Sequence, residues 1–251
     1  HRSGVLVPRL WNSPETWVDW DRVQEEIWNA RPRYRRGTLA YHPLEFGWIL
    51  GEVVRRVAGL SLAEFLTEVL PEPLRPLRLR VARDATRAVA RTYWLGPKRY
   101  RLGSEDVAAR FEEIYNAPST LTSLVPGASM ATTASALARF YEMVLAGGTT
   151  ADGARLIRSE TLERYLRPNV SGLDRTLRSY VVLGRGFLLG WLGPHPYGWW
   201  DTRECVGHGG GFCVVAFGDR HAGAAISIVT NGNRGLGDVL RRFAPLSSSI
   251  R

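Results

Sequence analysis

Lysine is nearly missing from this chain of 251 residues: Lys98 stands alone against 32 arginines. Chemistry that needs a lysine amine at a fixed spacing has one position to use. The residue three before it is Leu95, so no serine here opens a Ser-x-x-Lys turn. Cysteine is almost as scarce. Cys205 and Cys213 allow one bridge at most, which excludes a disulfide framework, and reduced thiols in a cytoplasmic setting are the expectation. Histidines at 1, 42, 195, 208 and 221 form no i, i+4 pair and have no Cys-x-x-Cys companion, so neither a metal site nor a cofactor is expected. A Walker lysine and a strand-borne Gly-x-Gly-x-x-Gly turn are both missing, which argues against a nucleotide-phosphate loop. No apolar run has the length of a membrane-spanning helix. The chain begins at His1 without a signal-like stretch behind it, and an internal start within a longer frame is the expectation.

What is present is globular. A hydrophobic share of 45% and a charged share of 23% sit near the averages of folded domains and exclude general disorder. The net charge of +9 is high, yet the arginines are spread along the chain, with only short runs such as 31–36. The charge therefore reads first as a compositional bias of a GC-rich coding sequence. A nucleic-acid partner is not expected, and a basic nucleic-acid-binding protein is kept as a rival that salt-dependent retention on DNA would reveal.

Ser13 and Pro14 mark a helix start as N-cap and first helical residue. Phe46, Ile49, Leu50, Val53, Val54 and Val57 recur at helical spacing, predicting one apolar face that Gly59 ends. Ser61-Leu62-Ala63-Glu64 is a capping box, with Leu60 and Phe65 placed for a staple, and opens a helix reaching about Leu70 before Pro71 and Pro73. Residues 71–103 carry many Arg and Pro and predict an irregular excursion with one short strand. Further helices are predicted from Ser104, with Val107, Phe111, Ile114 and Tyr115 inward, from Thr133 to Leu145, and from Ser159 to about Leu166. Beyond Gly184 the texture changes to strand-length apolar runs at 187–191, 212–217 and 224–229, the last two joined as a hairpin. Leu236 to Phe243 predicts a closing helix, followed by a frayed serine tail at 247–249. The order is helices, an antiparallel meander, then one helix. Several indoles crowd the start of the chain, among them Trp11, Trp17, Trp20 and Trp28, and packing against helices is their expected role.

Two places carry candidate chemistry. Tyr41 stands between the arginine-rich run and the strong helix, where the helix N-terminus and Arg35 and Arg36 would favour a phenolate able to act as general base. A packed structural tyrosine is the competing reading. Gly207-His208-Gly209-Gly210-Gly211 combines a titratable ring with glycines at the start of an apolar strand, where a backbone N–H can face an oxyanion. Its competitor is a glycine-rich bend with a solvated histidine.

These segments together resemble the serine β-lactamase and penicillin-binding-protein superfamily, in the branch of class C β-lactamases, D-alanyl-D-alanine carboxypeptidases and related esterases. His1-Arg2-Ser3-Gly4-Val5 is similar to its His-Thr-Ser-Gly-Leu segment and Tyr41-His42-Pro43 to its Tyr-x-Asn region. Residues 126–133 resemble its helix entry beside the site, and Gly207-His208-Gly209-Gly210 its Lys/His-Thr-Gly strand. The resemblance spans essentially the whole chain, in order. It implies an α+β fold: an antiparallel sheet flanked by helices, with a helical lobe over about 40–170 and the sheet and last helix over about 184–246. The same resemblance puts the first helix and first strands outside this sequence, together with the Ser-x-x-Lys nucleophile. A partner or missing N-terminal segment would then complete the sheet. By the same resemblance Tyr41 is the general base, His208 holds the third motif, and Gly209, Gly210 and Gly211 face substrate, with Gly211 giving an oxyanion N–H. Pro43 in place of Asn removes one substrate-contacting amide, and Gly209 in place of a hydroxyl residue leans toward ester rather than β-lactam or peptide chemistry. The implied reaction is hydrolysis of a small ester or amide through an acyl-serine, inactive without its nucleophile. A non-catalytic binding module is the alternative.

Overall fold

A computed structural model describes residues 1–102, 105–106, 108–211 and 213–251. The chain forms two compact units. One comprises 1–69, 78–131 and 173–179, and the other 70–77, 132–172 and 180–251.

The first unit is mainly helical, with α1 (Pro14–Trp17), α2 (Trp20–Trp28), α3 (Glu45–Ala58), α4 (Leu62–Val69), α5 (Phe111–Tyr115) and α6 (Pro118–Thr122). Its core gathers Leu10, Trp11, Trp17, Val23, Ile27, Trp48, Ile114 and Val125. Pro14 takes the first helical position as expected, but the Ser13 hydroxyl donates to the carbonyl of Arg9 rather than capping. The capping box forms: Ser61 N–H donates to Glu64 Oε2 at 2.9 Å, and Glu64 N–H donates to Ser61 Oγ at 3.3 Å.

Helix α3 ends at a left-handed Gly59, as predicted, but it buries a different face from the predicted one. Leu50, Val53 and Val57 are 60%, 54% and 83% exposed, while Glu45, Trp48 and Glu52 are buried. The reason is the partner surface. A Cβ at Gly51 would lie 2.7 Å from Trp20 Cη2, and one at Gly47 would lie 2.8 Å from the Gly127 nitrogen, so the glycine edge lets neighbours approach most closely. The carboxylates on that edge are then satisfied by indoles, Trp11 Nε1–H donating to Glu45 at 2.9 Å and Trp20 Nε1–H to Glu52 at 2.8 Å.

The excursion after Pro71 contains a 3-10 turn at Arg83–Ala88 and the two-residue strands β1 (Tyr93–Trp94), β2 (Arg101–Leu102) and β3 (Glu105–Asp106). The helix predicted from Ser104 is corrected here: β2 and β3 pair antiparallel and helix begins only at Phe111. Asp106 accepts the N–H groups of Tyr100 and Ala108, a local side-chain bonding pattern that competes with helix. Ser104 and Val107 themselves lie outside the described residues.

The second unit is built on a six-stranded meander in the order β4 (Val170–Leu173), β5 (Tyr180–Leu183), β6 (Leu188–Leu189), β7 (Cys205–Gly210), β8 (Val214–Asp219), β9 (Ala224–Val229). A further short strand, β10 (Gly232–Asn233), precedes the last helix. Helices α7 (Ala134–Leu145) and α8 (Ser159–Leu166) share one core with Leu189 and Val206; Val239 and Phe243 of α9 (Leu236–Ile250) share another with Cys205, Val215 and Phe217. Successive residues 205 and 206 thus serve opposite faces, the period-two pattern of a strand buried on both sides. The Thr133 hydroxyl accepts Ala136 N–H and starts α7 where its spacing predicts.

Three sequence expectations change in this unit. The glycine run does not begin the strand at 214–219; it is itself β7, paired with β6 and β8. β4 and β5 have no counterpart among the predicted strands. The serine tail is helical and anchored: Ser247 donates to the Pro196 carbonyl at 2.8 Å, and Ser248 accepts Trp199 N–H at 2.9 Å. The predicted hairpin joins β8 to β9. Asp219 accepts the N–H groups of His221 and Ala222, and Gly223 is left-handed at φ 65°.

Candidate functional site

In the first unit, Tyr41 and His42 precede a turn at Pro43 and Leu44 that leads into α3, whose N-cap is Leu44. The His1 ring sits 4.5 Å from the Tyr41 ring and stacks at 5.7 Å on His42, with Phe46 edge-on to it at 5.5 Å. His42 N–H donates to His1 Nδ1 at 3.1 Å, and Ser3 Oγ is hydrogen-bonded to His42 Nε2 at 2.8 Å. The carboxylate of Asp174 is fully buried in the same unit, one oxygen accepting the N–H groups of Thr176 and Leu177 at 2.8 Å each.

This setting reverses the electrostatic expectation for Tyr41. Burial, reinforced by the negative charge of Asp174, pushes its phenol up to about 12 instead of favouring the phenolate. The helix terminus begins four residues downstream, and Arg35 and Arg36 are exposed to water, so neither supplies the predicted stabilisation. His42 moves the other way. Burial pushes its imidazole down to about 4, against the opposing pull of Asp174.

His208, Gly209 and Gly210 stand at the end of β7 in the second unit, with Gly211 in the turn that follows at φ 50°. Alternation puts His208 on the same face as Val206, which packs with α7 and α8. There the buried Tyr141 of α7 receives the His208 backbone N–H, while burial keeps the Tyr141 phenol protonated far into the alkaline range. His208 Nδ1 lies 2.6 Å from the Gly209 carbonyl, and burial lowers the basicity of the ring. Gly207 is required by packing. A Cβ on it would lie 2.3 Å from the Ala216 oxygen and 2.5 Å from Phe217 Cβ, whereas one on Gly209 meets nothing closer than 3.6 Å. Behind the strand, Asn233 Nδ2 donates to the Gly211 carbonyl and Cys213 N–H donates to the Gly210 carbonyl at 3.0 Å, which shapes the turn.

The structure therefore groups Tyr41 with His1, Ser3, His42 and Asp174 in one unit, and His208 with Gly209, Gly210, Gly211 and Tyr141 in the other. Reading the sequence for site residues passed over Asp174 and Tyr141. Asp174 is separated from Tyr41 by more than half the chain and carries no local motif, while Tyr141 reads only as one apolar position of a helix. Ser3 did carry a signal, the His-x-Ser-Gly segment itself. Among the described residues no group of three His, Cys, Asp or Glu side chains is placed to hold a metal ion, and both cysteines are free thiols. Among the described residues no helix is long and apolar enough to cross a membrane.

A Beta-lactamase family model matches residues 1–246. The esterase/β-lactamase LipL of Mycobacterium tuberculosis is 27% identical over 241 residues, covering 83% of this chain and 52% of LipL. Among solved structures, a penicillin-binding-protein homologue from Caulobacter crescentus superposes with a TM-score of 0.74 at 25% identity, covering 93% of this chain and 65% of that one. EstA from Arthrobacter nitroguajacolicus gives a TM-score of 0.73 at 20% identity over all of this chain and 69% of its own. The chain spans about half the length of the LipL relative. A mixed helix and antiparallel-sheet architecture, the ordered segments and the match over almost every residue agree: this chain is a member of the β-lactamase family.

Proposed function

We propose that the chain carries the general-base and oxyanion sides of a serine hydrolase acting on small esters or amides, and that by itself it is inactive. The observation that carries this reading is the one lysine, Lys98, with Leu95 three residues before it, inside a chain matched by the Beta-lactamase family model. In the proposed chemistry Tyr41 moves the proton between nucleophile and leaving group, His208 orients the substrate, and the backbone of Gly209 to Gly211 faces the oxyanion. Acyl transfer needs a hydroxyl made nucleophilic by a nearby base, and the amine that does this in a Ser-x-x-Lys turn is not in this polypeptide.

Treating the chain with a fluorophosphonate probe and with p-nitrophenyl butyrate tests the reading. Mass spectrometry is expected to show no stoichiometric adduct, and p-nitrophenol no release above the buffer rate. A serine adduct or sustained turnover would overturn it.

One observation favours a second reading, a binding module that keeps the family cleft without catalysis: the Tyr41 phenol, held up at about 12, is a poor proton acceptor at neutral pH. The genomic frame upstream of His1 separates the two. A Ser-x-x-Lys within it supports the hydrolase, and an intact frame without one supports the binder.

A further inference from the structure

The arginine-rich stretch that the proposed chemistry leaves unused borders a cleft wholly within the first unit. Its volume is about 490 Å³, within the range of small-molecule sites. Trp20 and Leu62 form its apolar wall above the buried Trp17, and Arg80 and Arg83 stand at its basic side. The local chain explains the placement. Leu79 and Val81 are buried, with Val81 N–H donating to the Leu121 carbonyl at 2.8 Å, so alternation turns Arg80 outward; Arg83 then opens the 3-10 turn.

Charge decides what this cleft takes. Arg55 also lines it, but its guanidinium is already committed, donating to Glu52 at 2.7 and 3.0 Å and lying 3.2 Å from Asp21. Arg80 and Arg83 form no ion pair among the described residues; the acidic group in the lining, Asp21, lies against Arg55, and the Glu64 carboxylate is occupied by the capping box and feels Arg80 through space. Ser61, also in the lining, is taken up by the capping box, its oxygen accepting Glu64 N–H and its hydroxyl bonding the Glu64 carboxylate, which leaves recognition to the arginines. Two planar guanidinium forks sharing a cleft with an indole are the complement of a flat apolar group bearing an oxyanion.

From this arrangement we infer that the cleft is a binding site for a small aryl oxyanion, an aromatic carboxylate or phosphate monoester. Arg80 and Arg83 hold the oxygens, and the aryl group lies against Trp20 and Leu62. Neither Tyr41 nor His208 lines the site, and it stands whether or not the chain hydrolyses anything.

Isothermal titration with phenyl phosphate, benzoate and inorganic phosphate at low salt tests it, with indole fluorescence as a second signal. Saturable binding of at least one aryl anion at about millimolar strength or tighter is expected, with inorganic phosphate weaker than phenyl phosphate. The double variant R80Q/R83Q is expected to weaken it about tenfold or more without changing thermal unfolding, since both side chains are exposed. The single variant R83Q gives the same comparison should the double variant not fold. Preference for phenyl phosphate or for benzoate tells the two oxyanion classes apart. No saturable binding to the native chain, or equal affinity in the variants, would overturn the proposal.

Discussion

Ser3 Oγ lies 2.8 Å from His42 Nε2, a serine and an imidazole in direct hydrogen bond within the first unit. The pair has the distance of a nucleophile and its base, but two features oppose that role. Burial holds His42 down at about 4, leaving it a weak base, and Ser3 Oγ also accepts the Val5 N–H at 3.1 Å. The expected outcome is that Ser3 stays unmodified by a fluorophosphonate. Peptide mapping of the treated protein checks this, and a phosphonylated Ser3 would show that the pair is a working nucleophile.

Acid sensitivity should follow from the same burial. A histidine whose folded value lies below its ordinary value contributes stability above pH 6.5 and loses it as pH falls toward the folded value. His42 at about 4 and the fully buried His195 at about 3 both behave this way. Urea midpoints are expected to decline between pH 6.5 and 4, and His42→Gln to flatten that decline. An unchanged slope in the variant would mean that His42 titrates normally.

At the alkaline end the sign is opposite. Tyr41 is raised from 10 to about 12, so its stabilising effect is complete below pH 10 and fades between 10 and 12, where the unfolded chain ionises first. Ultraviolet titration near 295 nm should find a phenol in Tyr41→Phe difference spectra that ionises well above 10. An ordinary value would restore the phenolate read from the sequence.

The close approach of β7 to β8 sets up a paired comparison. Gly207→Ala places a Cβ against backbone at 2.3 Å and is expected to cost about 1–3 kcal/mol by overpacking; Gly209→Ala, with 3.6 Å of clearance, should cost much less. Thermal unfolding of the two variants decides. Equal effects would imply that the strand relaxes freely around residue 207.

Glu45 is buried and accepts both Val7 N–H at 2.7 Å and Trp11 Nε1–H at 2.9 Å. Glu45→Ala leaves those donors without a partner and should lose about 1–3 kcal/mol for each group, while Glu45→Gln retains an acceptor oxygen and should lose less. Denaturant unfolding of both variants measures the difference.

Local chemistry settled part of this protein unaided. The 61–64 capping box, the Gly59 stop, α7 and α8 and the β8–β9 hairpin depend on neighbours a few residues apart, so the sequence contains all their terms. The order of the His-x-Ser-Gly, Tyr-His-Pro and Gly-His-Gly-Gly segments likewise points to the β-lactamase family from sequence alone. Tertiary contacts decided the rest. Which side of α3 is buried depended on Trp11 and Trp20 reaching two carboxylates past small glycines, a distant pairing that periodicity does not contain. The glycine run became β7 because β8 and β6 lie against it, and the Tyr41 phenol kept its proton because burial and Asp174, far along the chain, outweigh exposed arginines. Desolvation and long-range charge act through space, which a linear string of residues does not encode.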